Sequence, residues 1–277
     1  MGDSRHWAPL VSSLLFAGAL LALGSRALGT DRTVEYVIAS FVTFAFCLVS
    51  AIHLLGPKSA AAFALIGIVF GWLAEQIGTT TGVIFGPYTY VPGILGPSLG
   101  EVPVVVPLMW FALVYIAYIM ANLLVWQSPV DQRRGLLEVV GLSLLAALIV
   151  SAYNLGTDPY NQHVVGAYIA GVEGRYFGVP FMAYVGWTAV AFLICLTFRL
   201  VVHKVPIQPV TRVTKRFVAL PIMLYIGFMA FYVAEGFPEA VKVIVVFAMG
   251  IPSLAAIVGF ERWSMHDTAS SIQENAA

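Results

Sequence analysis

Carboxyl groups inside apolar segments are the residues of this sequence best suited to chemistry. Glu75 lies in the stretch Gly71-Trp-Leu-Ala-Glu-Gln-Ile-Gly78, where Trp72 and Gly71 stand three and four residues before it on one helical face. Ionisable groups in an apolar helix are costly and often mark a functional site. A carboxyl group packed against an indole in a low-dielectric setting favours its neutral form, which suits a proton donor. The alternative is an interfacial glutamate that caps the following loop.

Asp158 is the second candidate, at the end of a polar stripe that also contains Ser151 and Asn154. The spacings of four and three residues place these side chains on one face of a helix. The stripe fits a functional carboxylate at a helix end. The dipeptide Asp158-Pro159 equally fits the start of a turn, so both interpretations stay open.

Two segments carry aromatic residues at helical spacing. One contains Tyr115, Tyr118 and Asn122, with Trp110 nearer its start. These residues either line a pocket or form hydrogen bonds between helices and an interface belt. The other ends with Tyr232 and Glu235 on one face. Such a stripe is more typical of packing than of a site, but its terminal carboxylate makes it a candidate.

The composition is that of a membrane protein. Of 277 residues, 60% are hydrophobic and 10% are charged, and the mean hydropathy is +0.90. A soluble domain has about 25% charged residues. The 14 Lys and Arg residues balance the 14 Asp and Glu residues, which leaves no basic excess for phosphates. The composition therefore excludes an ordinary soluble enzyme and predicts no nucleic-acid partner.

Long apolar runs separated by Gly, Pro or charged breaks predict an all-α, polytopic integral membrane bundle of about eight transmembrane helices. The expected helices are Trp7–Leu28, Val34–Leu55, Ala60–Ile77, Val104–Trp126, Leu136–Leu155, Val179–Val202, Phe217–Ala234 and Val241–Phe260. They form a single transmembrane domain of residues 1–262. The polar tail of residues 263–277 is expected to be disordered and cytoplasmic.

Loop charges predict the orientation of this bundle. Eight spans place most basic residues on one side, namely Arg5, Lys58, Arg133, Arg134, Lys204, Arg212, Lys215, Arg216 and Arg262. The other side has four, namely Arg26, Arg32, Arg175 and Lys242. The positive-inside rule therefore predicts a multi-pass protein of the cell membrane with both termini in the cytoplasm.

Two long connections, residues 78–97 and 157–177, then share the outer face. Both are rich in Gly, Pro and aromatic residues, and such irregular backbone is tolerated at membrane depth only when protein buries it or it lines a cavity. The two units weakly echo each other. Each has a helix that ends near a carboxylate, a Gly and aromatic loop, and a Val-Pro dipeptide, at Val102-Pro103 and Val179-Pro180, before the next helix.

The other charged residues and the absent motifs limit the kinds of functional site that the sequence predicts. Four acidic residues are expected to be solvated loop charges, namely Asp31, Glu101, Glu173 and Glu239. Arg175 lies near the mouth of the bundle and is expected to pair with Asp158 or Glu173. The five histidines lack metal-binding spacing, and the sequence contains no Gly-rich nucleotide motif and no Asp-x-x-Asp pair. If the protein is an enzyme, we therefore expect it to use side chains and water, without a metal or cofactor.

A longer pattern resembles a known family. It consists of Trp72-Leu-Ala-Glu-Gln-Ile-Gly-Thr-Thr-Thr-Gly-Val-Ile-Phe-Gly-Pro-Tyr-Thr-Tyr90, Leu95-Gly-Pro97, Val102-Pro103 and Pro107-Leu-Met-Trp-Phe111. Further matches are Asp158-Pro159, Tyr176-Phe-Gly-Val-Pro180 and Gly186-Trp187. The combination resembles the membrane-embedded carotenoid biosynthesis proteins. The chain departs from the family pattern at Ala183-Tyr184 and at Gly166-Ala-Tyr168.

The resemblance implies a carotenoid hydratase, which adds water to the terminal double bond of an acyclic end group and gives a tertiary alcohol. This reaction needs an acid, a cavity that tolerates a carbocation, and a positioned water. It requires no redox cofactor. In this reading Glu75 is the acid and Asp158 orients the water, with the assignment of the two roles left open.

The implied substrate is an acyclic or monocyclic C40 or C50 polyene that reaches the helices from the lipid. Candidate partners are membrane lipids and other enzymes of carotenoid biosynthesis. The predicted substrate-binding residues are Trp72, Tyr88, Tyr90, Trp110, Tyr115, Tyr176, Trp187, Tyr232 and Glu235. Two alternatives remain: an isoprenoid-lipid isomerase or cyclase that uses the same protonation step, and a lipid-binding or transport protein.

Overall fold

The computed structural model describes residues 7–28, 32–130, 135–202 and 211–274. In these ranges eight α-helices are long and apolar enough to cross a membrane. They are α1 (Trp7–Leu28), α2 (Arg32–Leu55), α3 (Pro57–Thr81), α4 (Val105–Trp126), α5 (Leu136–Tyr160), α6 (Phe181–Val201), α7 (Arg212–Glu235) and α8 (Glu239–Glu274). A π-helical turn, Asn161–Val165, continues α5. The strands are β1 (Tyr88–Tyr90), β2 (Ser98–Leu99), β3 (Val102–Pro103) and β4 (Tyr168–Ala170).

Helix α4 lies at the centre of the bundle. It has no charged residue, and Pro107 falls in its first turn, where a missing backbone N–H costs nothing. Most of its residues are buried, and it packs against α2, α3, α5, α6, α7 and α8. The helix is therefore a core around which the others are arranged.

Glycines bring α3 close to α4. A Cβ atom added at Gly67 would lie 2.8 Å from the Cα atom of Phe111. A Cβ atom added at Gly71 would lie 2.6 Å from the indole of Trp110. Small residues at such spacing let two membrane helices pack backbone against side chain. The Trp110 ring consequently lies against the same stretch of α3 that contains Glu75.

In two helices that contain an interior proline, side chains from other elements supply the hydrogen bond that the proline removes. A proline inside a helix leaves the carbonyl group four residues earlier without its usual donor. Pro159 has this effect on Leu155, and the Tyr176 hydroxyl donates to the Leu155 carbonyl at 3.0 Å. Pro221 has it on Phe217, and the Ser50 hydroxyl donates to the Phe217 carbonyl at 3.2 Å.

The fifth helix extends further than the sequence predicted. We expected it to stop at Leu155, but α5 continues through Tyr160 and the π-helical turn. Asp158 therefore lies in the last turn of a helix, and the alternative of a turn starter is wrong. The third helix is also longer than expected and ends where Gly82 adopts a left-handed conformation with φ 71°.

The C-terminal prediction also needs correction. Helix α8 runs to Glu274, so residues 263–274 are helical where we expected a disordered tail. Residues 275–277 lie outside the described part of the chain. Arg5, Asp31, Arg133, Arg134 and Lys204 also fall outside it, and the orientation of the termini stays a prediction.

The two long connections meet as a small sheet. Strands β1 and β4 pair antiparallel, with Tyr88 opposite Ala170 and Tyr90 opposite Tyr168. The sheet covers the end of the bundle where α3 and α5 finish and α4 and α6 begin, which we call the strand end. The two segments that echo each other in sequence are thus hydrogen-bonded to each other.

Candidate active site

The Glu75 carboxyl group lies at the strand end and accepts three side-chain hydrogen bonds. Its side chain is buried, with 3% of its surface exposed. The hydroxyl groups of Tyr88 and Tyr90 donate to its Oε2 atom at 2.5 and 2.8 Å. The indole Nε1 of Trp110 donates to Oε1 at 3.0 Å. Both oxygens of the carboxyl group are therefore held in a fixed position by rigid aromatic side chains.

Local structure explains why these donors converge. Tyr88 and Tyr90 are two residues apart on β1, so their side chains leave the strand on the same side. Gly71 leaves room for the Trp110 indole. The pKa values of the Tyr88 and Tyr90 hydroxyls lie well above the usual value for tyrosine. Burial is the largest cause, and the nearby Glu75 is the second. Both phenols consequently remain protonated donors at neutral pH.

Asp158 is the second buried carboxyl group of the strand end, with 6% of its surface exposed. Asn154, one helical turn earlier, donates from Nδ2 to Asp158 Oδ2 at 2.8 Å. This contact confirms that the two residues share one face of the helix. The hydroxyl of Tyr168 donates to the backbone carbonyl of Asp158 at 3.2 Å, which ties β4 to the end of α5.

Glu75 and Asp158 line one cavity, which we call the carboxylate cavity. It measures about 830 Å³ including its open mouth. Its aromatic lining consists of Tyr36, Phe85, Tyr88, Tyr90, Tyr153, Tyr168 and Trp187. Aliphatic residues such as Met109 and Leu113 complete the wall. The cavity thus combines two acidic groups with an apolar, π-rich wall, which suits an apolar ligand that becomes transiently cationic.

The structure places several predicted site residues at this cavity. Tyr88, Tyr90 and Trp187 line it. Trp110 lies behind the wall, where it bonds Glu75 and stacks on Trp187 with ring centroids 4.1 Å apart. Four predicted binding residues therefore belong to the cavity or to its immediate support.

Three other predicted binding residues have structural roles. The indole of Trp72 donates to the Leu99 carbonyl at 3.0 Å, and Trp72 does not line the cavity. The hydroxyls of Tyr115 and Ser50 share a 2.7 Å hydrogen bond inside the core. The Tyr176 hydroxyl donates to the Leu155 carbonyl, which Pro159 leaves without its usual donor.

The end of α7 supports the cavity from behind. Thr157 Oγ1 donates to the Tyr232 hydroxyl at 2.6 Å, which in turn donates to the Tyr153 hydroxyl at 3.3 Å. Thr157 and Tyr153 line the cavity, whereas Tyr232 and Glu235 do not. The aromatic stripe of this helix is mainly packing.

Several of the remaining charged residues do not line the cavity, but the buried Arg26 lies against its wall, with its guanidinium 4.3 Å from the ring centroid of Tyr36. Arg175 is exposed, and within the described chain it makes no ion pair with Asp158 or Glu173. Glu101, Glu173 and Glu239 are exposed, as expected, and Glu239 lies 3.2 Å from Lys242. No group of three His, Cys, Asp or Glu residues that could hold a metal ion occurs among the described residues.

Five polar residues of the cavity were missing from the predicted site: Tyr36, Tyr153, Thr157, Asn161 and Tyr168. A partial signal for one existed, because Asn161 continues the spacing of Asn154 and Asp158 by three residues. Tyr36 gave no such signal, since it comes from α2 and meets Asn161 only through the fold.

Comparisons with known proteins identify the family of this chain. The family described as "Carotenoid biosynthesis protein" matches residues 32–258. The bisanhydrobacterioruberin hydratase of Haloarcula japonica is 28% identical over 189 residues, which cover 67% of this chain and 61% of that relative. No solved structure matches the chain. The matched region includes Glu75, Asp158 and the aromatic wall between them, and the chain belongs to the carotenoid biosynthesis protein family.

Proposed function

We propose that this protein is a hydratase that adds water to the terminal double bond of an acyclic carotenoid end group and forms a tertiary alcohol, without a cofactor. The observation that supports this most strongly is the pair of buried carboxyl groups, Glu75 and Asp158, on one aromatic cavity. The activity named for the Haloarcula japonica relative points the same way. Hydration requires an acid, a base and a protected cation, and the cavity offers groups suited to each.

Glu75 is the proposed acid. It transfers a proton to the less substituted carbon of the double bond, and the positive charge appears at the tertiary carbon. Tyr88, Tyr90 and Trp110 already point at the oxygens that become the carboxylate, so they stabilise it as it forms without rearranging. The ring faces of the wall stabilise the cation.

Asp158 is the proposed base. Water adds through its oxygen to the tertiary carbon, and one of its protons passes to the Asp158 carboxylate. Asn154 holds this carboxylate in place from the preceding turn. Net transfer of a proton from Asp158 to Glu75 through solvent resets the site, so the reaction consumes one water and neither oxidises nor reduces the substrate.

The proposed substrate lies among the helices with its reacting end in the carboxylate cavity. Eight apolar spans make a lipid route to the cavity natural for a polyene. The excess of basic residues at the opposite end supports cytoplasmic termini and a cavity near the outer face of the cell membrane.

Expression in a bacterial host that accumulates acyclic carotenoids tests the proposal. We expect pigments whose mass increases by one water for each reacted end. Pigments of unchanged mass but altered chromatographic mobility would instead indicate an isomerase or cyclase. An unaltered pigment profile with the protein present in the membrane would contradict an enzymatic role on these substrates.

A further inference from the structure

A polar niche on the α5 wall of the carboxylate cavity has unmet hydrogen-bonding capacity. It consists of Asn154, Asp158 and Asn161, at spacings of four and three residues on one face of α5 and its π-helical turn. Asn154 and Asn161 have 0% and 7% of their surface exposed. Within the described part of the chain, the Oδ1 atom of each is buried without a hydrogen-bond partner.

Unpaired buried acceptors are unfavourable, and a bound water or hydroxyl group commonly satisfies them. The other half of each amide is already engaged. Asn154 Nδ2 donates to Asp158, and Asn161 Nδ2 donates to the Tyr36 hydroxyl at 3.3 Å. These contacts fix the orientation of both amide groups. Within the described residues, each Oδ1 atom is therefore a positioned acceptor without a donor.

The position of Asn161 singles it out. Asp158 and Asn161 both line the cavity, whereas Asn154 lies behind them. A water that donates one hydrogen to the Asp158 carboxylate and the other to Asn161 Oδ1 has its lone pairs free to face the cavity. That orientation is the one required for attack on a cation, and its first hydrogen already points at the base.

We propose that Asn161 is a positioning residue that, together with Asp158, holds the nucleophilic water of the reaction. This inference rests on the proposed hydratase function. It adds that Asn161 decides the fate of the cation rather than its formation. The π-helical turn, which is unusual in itself and often found at functional sites, gives Asn161 its place beside Asp158.

The two fates of the cation differ in isotope content. In heavy water a deuteron adds to the double bond and produces the tertiary cation. If water adds, the product is the tertiary alcohol. If no water is held, the cation loses a proton from an adjacent carbon, and the double bond forms again with deuterium retained in the unhydrated carotenoid.

Membranes from a host that expresses the full chain, incubated with an acyclic carotenoid in heavy water, provide the test. For Asn161→Ala we expect the ratio of hydrated pigment to deuterated, unhydrated pigment to fall at least about tenfold, because capture fails while protonation continues. The matched control is Gln162→Ala. Gln162 is the next residue of the same turn and also has a buried, unpaired side-chain oxygen, but it does not line the cavity.

The outcomes separate the inference from the function beneath it. A lower ratio in Asn161→Ala with an unchanged ratio in Gln162→Ala supports the inference. An unchanged ratio in Asn161→Ala, a parallel fall of both signals in that variant, or an equal change in Gln162→Ala would overturn it. A wild-type protein that yields no hydrated pigment would refute the hydratase itself, and the inference would fall with it.

Discussion

Glu75 receives its hydrogen bonds from residues 13, 15 and 35 positions further along the chain. Its isolation in an apolar segment was enough to predict a buried carboxyl group, and its functional role stays a prediction. Its partners were not predictable in the same way, because helical spacing points to Trp72, while the indole that reaches it is that of Trp110 on α4. The sequence of one helix defines a face but not what packs against it.

Neutralising either carboxyl group tests its place in the reaction. We expect Glu75→Gln and Asp158→Asn each to reduce turnover at least about a hundredfold, the scale of a lost general acid or base. Glu101→Gln is the control, because Glu101 is exposed. Initial rates of hydrated pigment formation measure all three. Near-normal turnover in either cavity variant removes that residue from the mechanism.

The tyrosine donors to Glu75 allow a second test at this scale. Tyr88→Phe removes one donor from the Oε2 atom, and we expect kcat to fall about tenfold to a hundredfold with a smaller change in KM. Tyr225→Phe is a matched control, since the Tyr225 hydroxyl donates to the Ile149 carbonyl in the core at 2.7 Å. Equal losses of kcat in both variants would mean that the Tyr88 hydroxyl serves only packing.

At the scale of elements, the apolar runs predicted all eight helices, but their ends depended on distant contacts. The end of α5 is an example. Pro159 breaks the local hydrogen-bond pattern, which is why the sequence favoured a stop at Leu155, yet Tyr176 from the following connection completes it. The pairing of β1 with β4 was likewise beyond local patterns, because each strand has three residues and the paired residues are 78 to 82 positions apart.

Tyr176 and Pro159 should be energetically coupled if this account of α5 is correct. Tyr176→Phe leaves the Leu155 carbonyl unpaired, and we expect a loss of about 1 kcal/mol of stability. In a Pro159→Ala background the restored N–H can serve that carbonyl, so the same substitution should cost much less. A double-mutant cycle of unfolding in detergent measures this coupling. Strictly additive effects would contradict it.

The close approach of α3 and α4 makes a separate prediction. In Gly71→Ala the new methyl group would overlap the Trp110 indole, which must shift away from Glu75 and Trp187. We expect lower turnover, by about tenfold or more, since small displacements of catalytic groups are costly. Gly141→Ala in α5, where an added Cβ meets nothing within 4 Å, should leave turnover unchanged. Full activity in Gly71→Ala would show that the Trp110 contact is dispensable.

At the scale of the whole molecule, the bundle has two unlike ends. The strand end holds both carboxyl groups and the small sheet, while the sequence places most basic loop residues at the other end. Helix count and loop charge could be read from the sequence alone. The cavity could not, because α2, α3, α4, α5, α6 and both connections contribute to it.

Labelling of single cysteines tests the orientation of these ends. Both native cysteines, Cys47 and Cys195, are buried and should give little background. Arg175→Cys, at an exposed position of the strand end, should react with a membrane-impermeant maleimide on intact cells. Arg262→Cys, also exposed, should react only after permeabilisation. The reverse pattern would place the carboxylate cavity at the cytoplasmic face.

The source of the product oxygen tests the central claim most directly. Membranes that contain the wild-type chain would be incubated with an acyclic carotenoid in water enriched in oxygen-18, beside the Glu75→Gln variant. The account predicts a tertiary alcohol that contains the solvent label in every newly formed hydroxyl group, and its loss in the variant. A hydroxyl group without the label, or hydrated pigment at wild-type levels from the variant, would contradict it.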